Sequence, residues 1–414
     1  MGFASGSVSF QRYHVSGPHP KTVDKSVIEK LGEHAFGAAH SASSDGIETG
    51  WIAPTHLFDT RIEESKVCVG RFLHVAMRLD RTAAPPNVVR SYQKMEEAAA
   101  LDASGKQSLN REEVRQAREA AEARAEKESR AGAFRRMAAY PMVFDPEGRA
   151  VYFGSLSATA QDKLLLLFAE TFGAKLVPMN APEVAARISE ETGCHRAYED
   201  AVPFHLADPP VGEGNGQGPV DAADRSFLGR EFLTWLWHEG DTREGAVPIG
   251  SDGRHNLPGD VEVVMDKMLK LDCDFQLTGR DVIYADSPAD APEARAALRT
   301  GKQPTRAGLT LWVGADEYVF TLDAAKWQVG GLKVPDADEP DPRVRLEERL
   351  MHVVRCSAVL DALYAAFLGV RFGREFSTQA GRMRKWAGNG HTARGGRTRA
   401  DRRGGEKAAL RLAR

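Results

Sequence analysis

The residues best suited to acting on a ligand are arginines at short spacing. Arg295, Arg299 and Lys302 recur at intervals of four and three, Arg306 follows, and no acid lies between Arg295 and Arg306. On a helix this spacing predicts at least three cations on one face, as contact with a row of phosphates requires. A solvated helix face is the competing reading. Arg130, Arg135 and Arg136 flank Phe134, pairing charge with an aromatic ring, and Arg280 stands in the turn Leu277-Thr278-Gly279-Arg280-Asp281.

Enzymatic signatures do not close. His238-Glu239 begins the H-E-x-x-H zinc pattern, but Thr242 stands where the second histidine must complete the site. Cys194, His195 and Glu199 bring a thiol, an imidazole and a carboxylate together, yet a plain surface segment accounts for them as well. Six of the 12 histidines fall within the first 74 residues without a repeated ligand spacing. Asp336, Asp338, Glu339 and Asp341 sit among prolines and read as a solvated acidic turn. Gly105-Lys106 and Gly301-Lys302 lack the flanking residues of a phosphate-binding loop, and no G-x-S-x-G elbow occurs. No catalytic residue, metal or cofactor site is therefore expected from these motifs.

The formal charge of -3 over 414 residues conceals a division. Residues 373–414 hold 12 Lys or Arg against three acids (+9), which leaves 43 bases and 55 acids (-12) in residues 1–372. A polyanion must therefore meet local patches, because the body repels it. With 42% hydrophobic residues the chain can bury a sizeable core. No run of 18 apolar residues and no secretory h-region is found, so no membrane partner is expected. The four cysteines lie about 80 to 130 residues apart, which points to a reduced, cytoplasmic protein.

These residues need elements to hold them. Alternation predicts strands in VSFQRYHV, FLHVAMRLD and VEVVMDKMLKLDC, and a hairpin from AYPMVF and RAVYFGS, followed by a helix (TAQDKLLLLFAETFG) and the strand KLVPM. Residues 109–130 form a helical but nearly all-polar segment that should project into solvent. In GREFLTWLWHEGD, Phe232, Trp235 and Leu236 fall at helical spacing with Phe227 and Leu228 and should face a core, with Trp237 at its edge. GLTLWVG, EYVFTLDA and a long amphipathic helix ending at VRF complete a second unit.

The fold class is thus α+β, with two sheet-plus-helix units. The expected division is an N-terminal region (1–206), a Pro/Gly-rich linker (207–224), a C-terminal region (225–372) and a Gly/Arg-rich tail (373–414), disordered when free.

Taken in order, GWIAPTHLFD, FLHVAMRLDRTAAPPNVV, the polar helix, the RAGAF junction, the hairpin with KLVPMNAP, FLTWLW, ARAALRTGKQP and GLKVP resemble the bacterial recombination-associated RdgC proteins. The similarity spans about residues 8–376. It implies a non-enzymatic, largely sequence-independent double-stranded DNA-binding protein. The subunit would be curved and horseshoe-like, and two of them would form a homodimeric ring that encircles the duplex and restrains RecA-dependent recombination at the nucleoid. On this resemblance Phe134 matches an aromatic at a subunit-contact and DNA-proximal tip, Arg280 lies at or beside a basic position facing the hole, and Arg111 matches another DNA-facing cation. The Gly/Arg tail is not a general feature of the family. A regulator that binds recombination or replication proteins directly, with incidental DNA affinity, is the alternative.

Overall fold

The computed structural model describes residues 2–38, 46–207, 224–243, 245–250, 255–273, 279–336 and 339–388. The chain begins with β1 (Val8–Ser16), α1 (Lys25–Glu33), β2 (Ile47–Ile52), α2 (Glu64–Val67), β3 (Cys68–Val69) and β4 (Phe72–Arg81). Next come α3 (Pro86–Ser104), α4 (Arg111–Arg130), β5 (Arg136–Asp145), β6 (Ala150–Phe153), α5 (Ala158–Phe172), β7 (Lys175–Pro178), α6 (Ala181–Glu191) and α7 (His195–Glu199). The remainder is α8 (Phe227–Thr242), β8 (Ala246–Pro248), β9 (Asp260–Cys273), β10 (Asp281–Ala285), α9 (Pro292–Arg299), β11 (Lys302–Val313), β12 (Asp316–Asp323), β13 (Gln328–Lys333), α10 (Pro342–Arg371) and α11 (Phe376–Gly388). The protein is α+β with antiparallel sheet pairing.

Two compact units emerge, and they interleave along the chain. The first takes residues 1–14, 150–156 and 177 onward; the second takes 15–149 and 157–176. The expected hairpin strands are divided accordingly, β5 counting with the second unit and β6 with the first. A division into consecutive N- and C-terminal regions therefore does not describe the packing. Most of the expected linker, residues 208–223, lies outside the described residues.

In the first unit the strand order is β10-β9-β11-β12-β13-β1-β6, with β8 on β9. One face of this sheet carries Val261, Val263, Met265, Leu269, Leu309 and Leu311, all buried. Against it lies α8, whose Phe232 packs 5.3 Å from Trp327 and 5.2 Å from Tyr364 of α10. A Cβ on Gly229 would collide with the Ala324 carbonyl, so this turn of α8 can approach the β12–β13 connection only without a side chain. Each of these large side chains contributes about 1.5–3 kcal/mol on burial. By length and composition α10 could span a bilayer, but 56% of its apolar window is buried within the fold.

Inside this unit Glu231 of α8 accepts from Arg371 Nε at 2.6 Å and from the Phe204 amide at 2.6 Å. Both charged side chains are buried. Removing either partner would strand the other charge, at a cost of about 3–5 kcal/mol.

In the second unit the order is β5-β4-β2, with β3 on β4. Nine of the ten residues of β4 are buried. Phe144 of β5 meets Phe168 and Phe172 of α5 at 5.9 and 6.2 Å, and Trp51 Nε1 donates to Thr171 Oγ1 at 2.8 Å. The polar helix does not stand alone in solvent. A capping box between Asn110 and Glu113 starts α4, and its Ala117, Ala121 and Ala125 bury an i, i+4 stripe in a hairpin with α3. Its other faces carry ion pairs such as Arg118–Glu122 (2.8 Å) and Arg124–Glu128 (3.2 Å).

Candidate nucleic-acid interface

The face of the first sheet opposite α8 carries cations from two neighbouring strands, β9 and β11, with a third just before β10. Val282 of β10 pairs with Lys270 of β9, and Lys270 pairs with Arg306 of β11, so all three side chains leave the same face. Arg280 joins them just before β10, 61% exposed, its Nε 2.8 Å from Asp272 Oδ1. Lys270 Nζ lies 3.5 Å from the other Asp272 oxygen, and Thr305 Oγ1 donates to it at 3.2 Å. Partial burial pushes the Asp272 carboxyl up, but the Arg280 hydrogen bond and the Lys270 and Arg280 charges outweigh it and leave Asp272 below its ordinary value. Asp272 is therefore a carboxylate at neutral pH and serves these cations as an internal counter-ion.

Arg306 has no such partner among the described residues. Its Nε is buried without a hydrogen bond, and its Nη2 would stand 3.3 Å from a Cβ on Gly330 of β13, so glycine there leaves the guanidinium its place on the sheet. A buried, unsatisfied donor costs about 1–3 kcal/mol.

The expected single helical face does not form. Helix α9 ends at Arg299, and Lys302 and Arg306 belong to β11, because Gly301 (φ 80°) turns the chain. Arg295 is 7% exposed, bonds Asp241, and lies between two indole rings at 4.9 Å (Trp237) and 5.0 Å (Trp386). Lys302, 9% exposed, bonds Asp281 at 2.7 Å. Arg299 alone of these three is exposed, its Nε 3.4 Å from the Arg295 carbonyl. Arg295 and Lys302 thus have their charges paired with carboxylates inside the fold, although Arg295 Nε, like Arg306 Nε, is buried without a hydrogen bond.

Trp386 belongs to α11, within the segment expected to be a disordered tail. Ala380, Met383 and Ala387 are buried, Trp386 Nε1 donates to Asp241 at 2.9 Å, and its ring meets Trp237 edge-on at 5.5 Å. Trp237 is consequently core rather than edge, at 2% exposure. His238 and Glu239 are covered too, with Gln379 donating to Glu239 at 2.9 Å. Residues 389–414, the rest of the tail, lie outside the described residues.

The second unit holds a separate group where α4 returns to the sheet. Arg81 and Arg136 face each other in register on β4 and β5, both exposed and without a partner among the described residues. Like charges so placed repel, unlike the cross-strand pairs that stabilise sheets. Arg135 Nε bonds the buried Asp80 at 2.8 Å, a carboxylate already gripped by Arg78 at 2.8 and 2.7 Å. Arg130 is exposed and bonds Glu126. Phe134 is half-buried in the turn before β5, at the sheet end of the hairpin whose distal end is Gly105–Asn110. Arg111, exposed at the start of α4, is separated from Arg130 by the helix length, roughly 30 Å.

Lys270 and Arg81 escaped the sequence reading. The alternation of VEVVMDKMLKLDC could have assigned Lys270 to the outer face, whereas Arg81 closes a strand and has no local signal beyond its charge. At the other candidates, His195 bonds Glu199 at 3.3 Å while the Cys194 thiol turns to the Thr192 carbonyl at 3.8 Å. No group of three or more His, Cys, Asp or Glu is placed for a metal among the described residues. No protein-family model matches the chain, and no curated protein matches it in sequence.

Proposed function

We propose that this protein is a non-enzymatic, largely sequence-independent binder of double-stranded DNA, akin to the RdgC proteins it resembles. In this reading two horseshoe-like subunits close a homodimeric ring around the duplex, without a cofactor, and restrain RecA-dependent recombination at the cytoplasmic nucleoid. The observation that supports it most is Arg306, whose guanidinium has no partner among the described residues and whose strand position puts it on the same sheet face as Lys270. The acidic body fits the same picture, since a local basic face in a repelling surround directs where phosphates settle.

Binding of this kind rests on counter-ion release. If about six phosphates are neutralised, log K against log salt should fall with a slope of roughly -5. Arg306→Ala should make that slope shallower by about 0.9 while the melting temperature holds or rises. A closed circular duplex should dissociate more slowly than a short linear one. Salt-independent binding, or none at low salt, overturns the proposal.

One observation favours the alternative regulator. Arg280, Arg295 and Lys302 each have an internal carboxylate partner, which reduces the free charge offered to DNA. Capture of a recombinase at a salt concentration that abolishes DNA binding would support that reading instead.

A further inference from the structure

We infer that Tyr284 is a stacking platform for an unpaired nucleobase, so that the sheet face takes duplex DNA with a single-stranded gap in preference to intact duplex. This inference rests on the duplex-binding reading and deepens it.

Tyr284 is 78% exposed, the most exposed of the large apolar side chains, and makes no hydrogen bond or ring contact among the described residues. It stands on β10, the last strand of the sheet order, opposite Met268 and two residues from Val282, itself 46% exposed. An exposed apolar pair on an edge strand invites unwanted strand addition and is ordinarily blunted by charge. Here the register instead puts the pair on the same face as Lys270 and Arg306, with Arg280 adjoining.

The arrangement fits a nucleotide chain. Strands are spaced about 4.8 Å apart, so Lys270 and Arg306 mark a cationic track running across the sheet from the ring. Single-strand recognition combines such a track for the backbone with an aromatic ring for the base, and any base can stack. Intact duplex offers its phosphates to Lys270 and Arg306 but keeps its bases from Tyr284. A gap supplies both. A second copy of this chain docking on the β10 edge is the other occupant, and the test below separates it from DNA.

The test uses the full chain, a blunt duplex and the same duplex carrying a six-nucleotide gap with 2-aminopurine at its centre. Expected are tighter binding of the gapped DNA and quenching of the 2-aminopurine. Tyr284→Ala should weaken gapped binding by about tenfold, leave blunt binding within about twofold and abolish the quench, while Tyr284→Phe retains all three. Equal binding of both DNAs with no effect of Tyr284→Ala overturns the inference and leaves the duplex reading standing. Equal weakening on both DNAs overturns it too, because the ring would then be a general contact. If neither DNA binds at low salt, the underlying reading itself fails. Loss of self-association in Tyr284→Ala with DNA binding unchanged would assign β10 to a second copy and also overturn the inference.

Discussion

Removing Asp272 tests whether the sheet face is held in check by its own carboxylate. Asp272→Asn deletes one negative charge 2.8 Å from Arg280 and 3.5 Å from Lys270, in a partly exposed setting where its side chain is 28% accessible. Near 4 Å in a water-like medium each pair is worth about 1 kcal/mol, and solvent screening keeps exposed pairs at or below that. Freeing two cations should therefore strengthen duplex binding by about 1–2 kcal/mol, a factor of roughly 5–30. The salt slope should steepen by up to about 1.8 if both cations then neutralise phosphates. The amide can still accept from Thr305, so the fold should persist. Anisotropy titrations across a salt series measure both quantities, with thermal melting as the folding control. Because Asp272 is held below its ordinary value, acidification to pH 5 should not reproduce the effect. Unchanged or weaker binding by a folded Asp272→Asn would refute the counter-ion argument and with it the role of this face.

Two further outcomes concern stability. Burial lowers His74 from 6.5 to about 4, so the unfolded chain binds a proton between those values that the fold refuses; stability should drop by about 1.4 kcal/mol per pH unit from 6.5 towards 4 and change little from this group above 6.5. Urea midpoints at pH 7 and 5 should show His74→Leu losing less than the parent protein, and an equal loss would exclude His74 as the origin. Truncation after Phe372 removes α11, uncovers Trp237 and Arg295 and should lower the melting temperature of the full chain by several degrees. Equal melting temperatures would show that α11 contributes no stability.

The α+β class was legible because strand and helix periods were clean in β4, β9 and α8. Local letters could not show where a helix stops. Arg295, Arg299 and Lys302 have helical spacing, but Gly301 ends α9 before Lys302, and only tertiary packing reveals that Arg295 is covered by Trp386. The spacing Ala380, Met383, Ala387 was present in the tail, hidden by the Gly- and Arg-rich average around it. Interleaving of the units was invisible for a simpler reason: which strand pairs with β1 is a long-range fact, and alternation says nothing about partners.

That interleaving has a consequence for how the chain is made. The second unit ends with residue 176 and can close while the rest is still being synthesised, whereas Val8 of β1 must await Leu332 of β13. At about 5–20 residues per second, roughly 10–30 s separate the two events. During that interval the N-terminal strand has an unpaired edge, and contacts so distant in sequence form slowly. The first unit should therefore be the part whose yield depends on chaperones, temperature and translation rate, and its strands should be the last to gain protection from hydrogen exchange during synthesis.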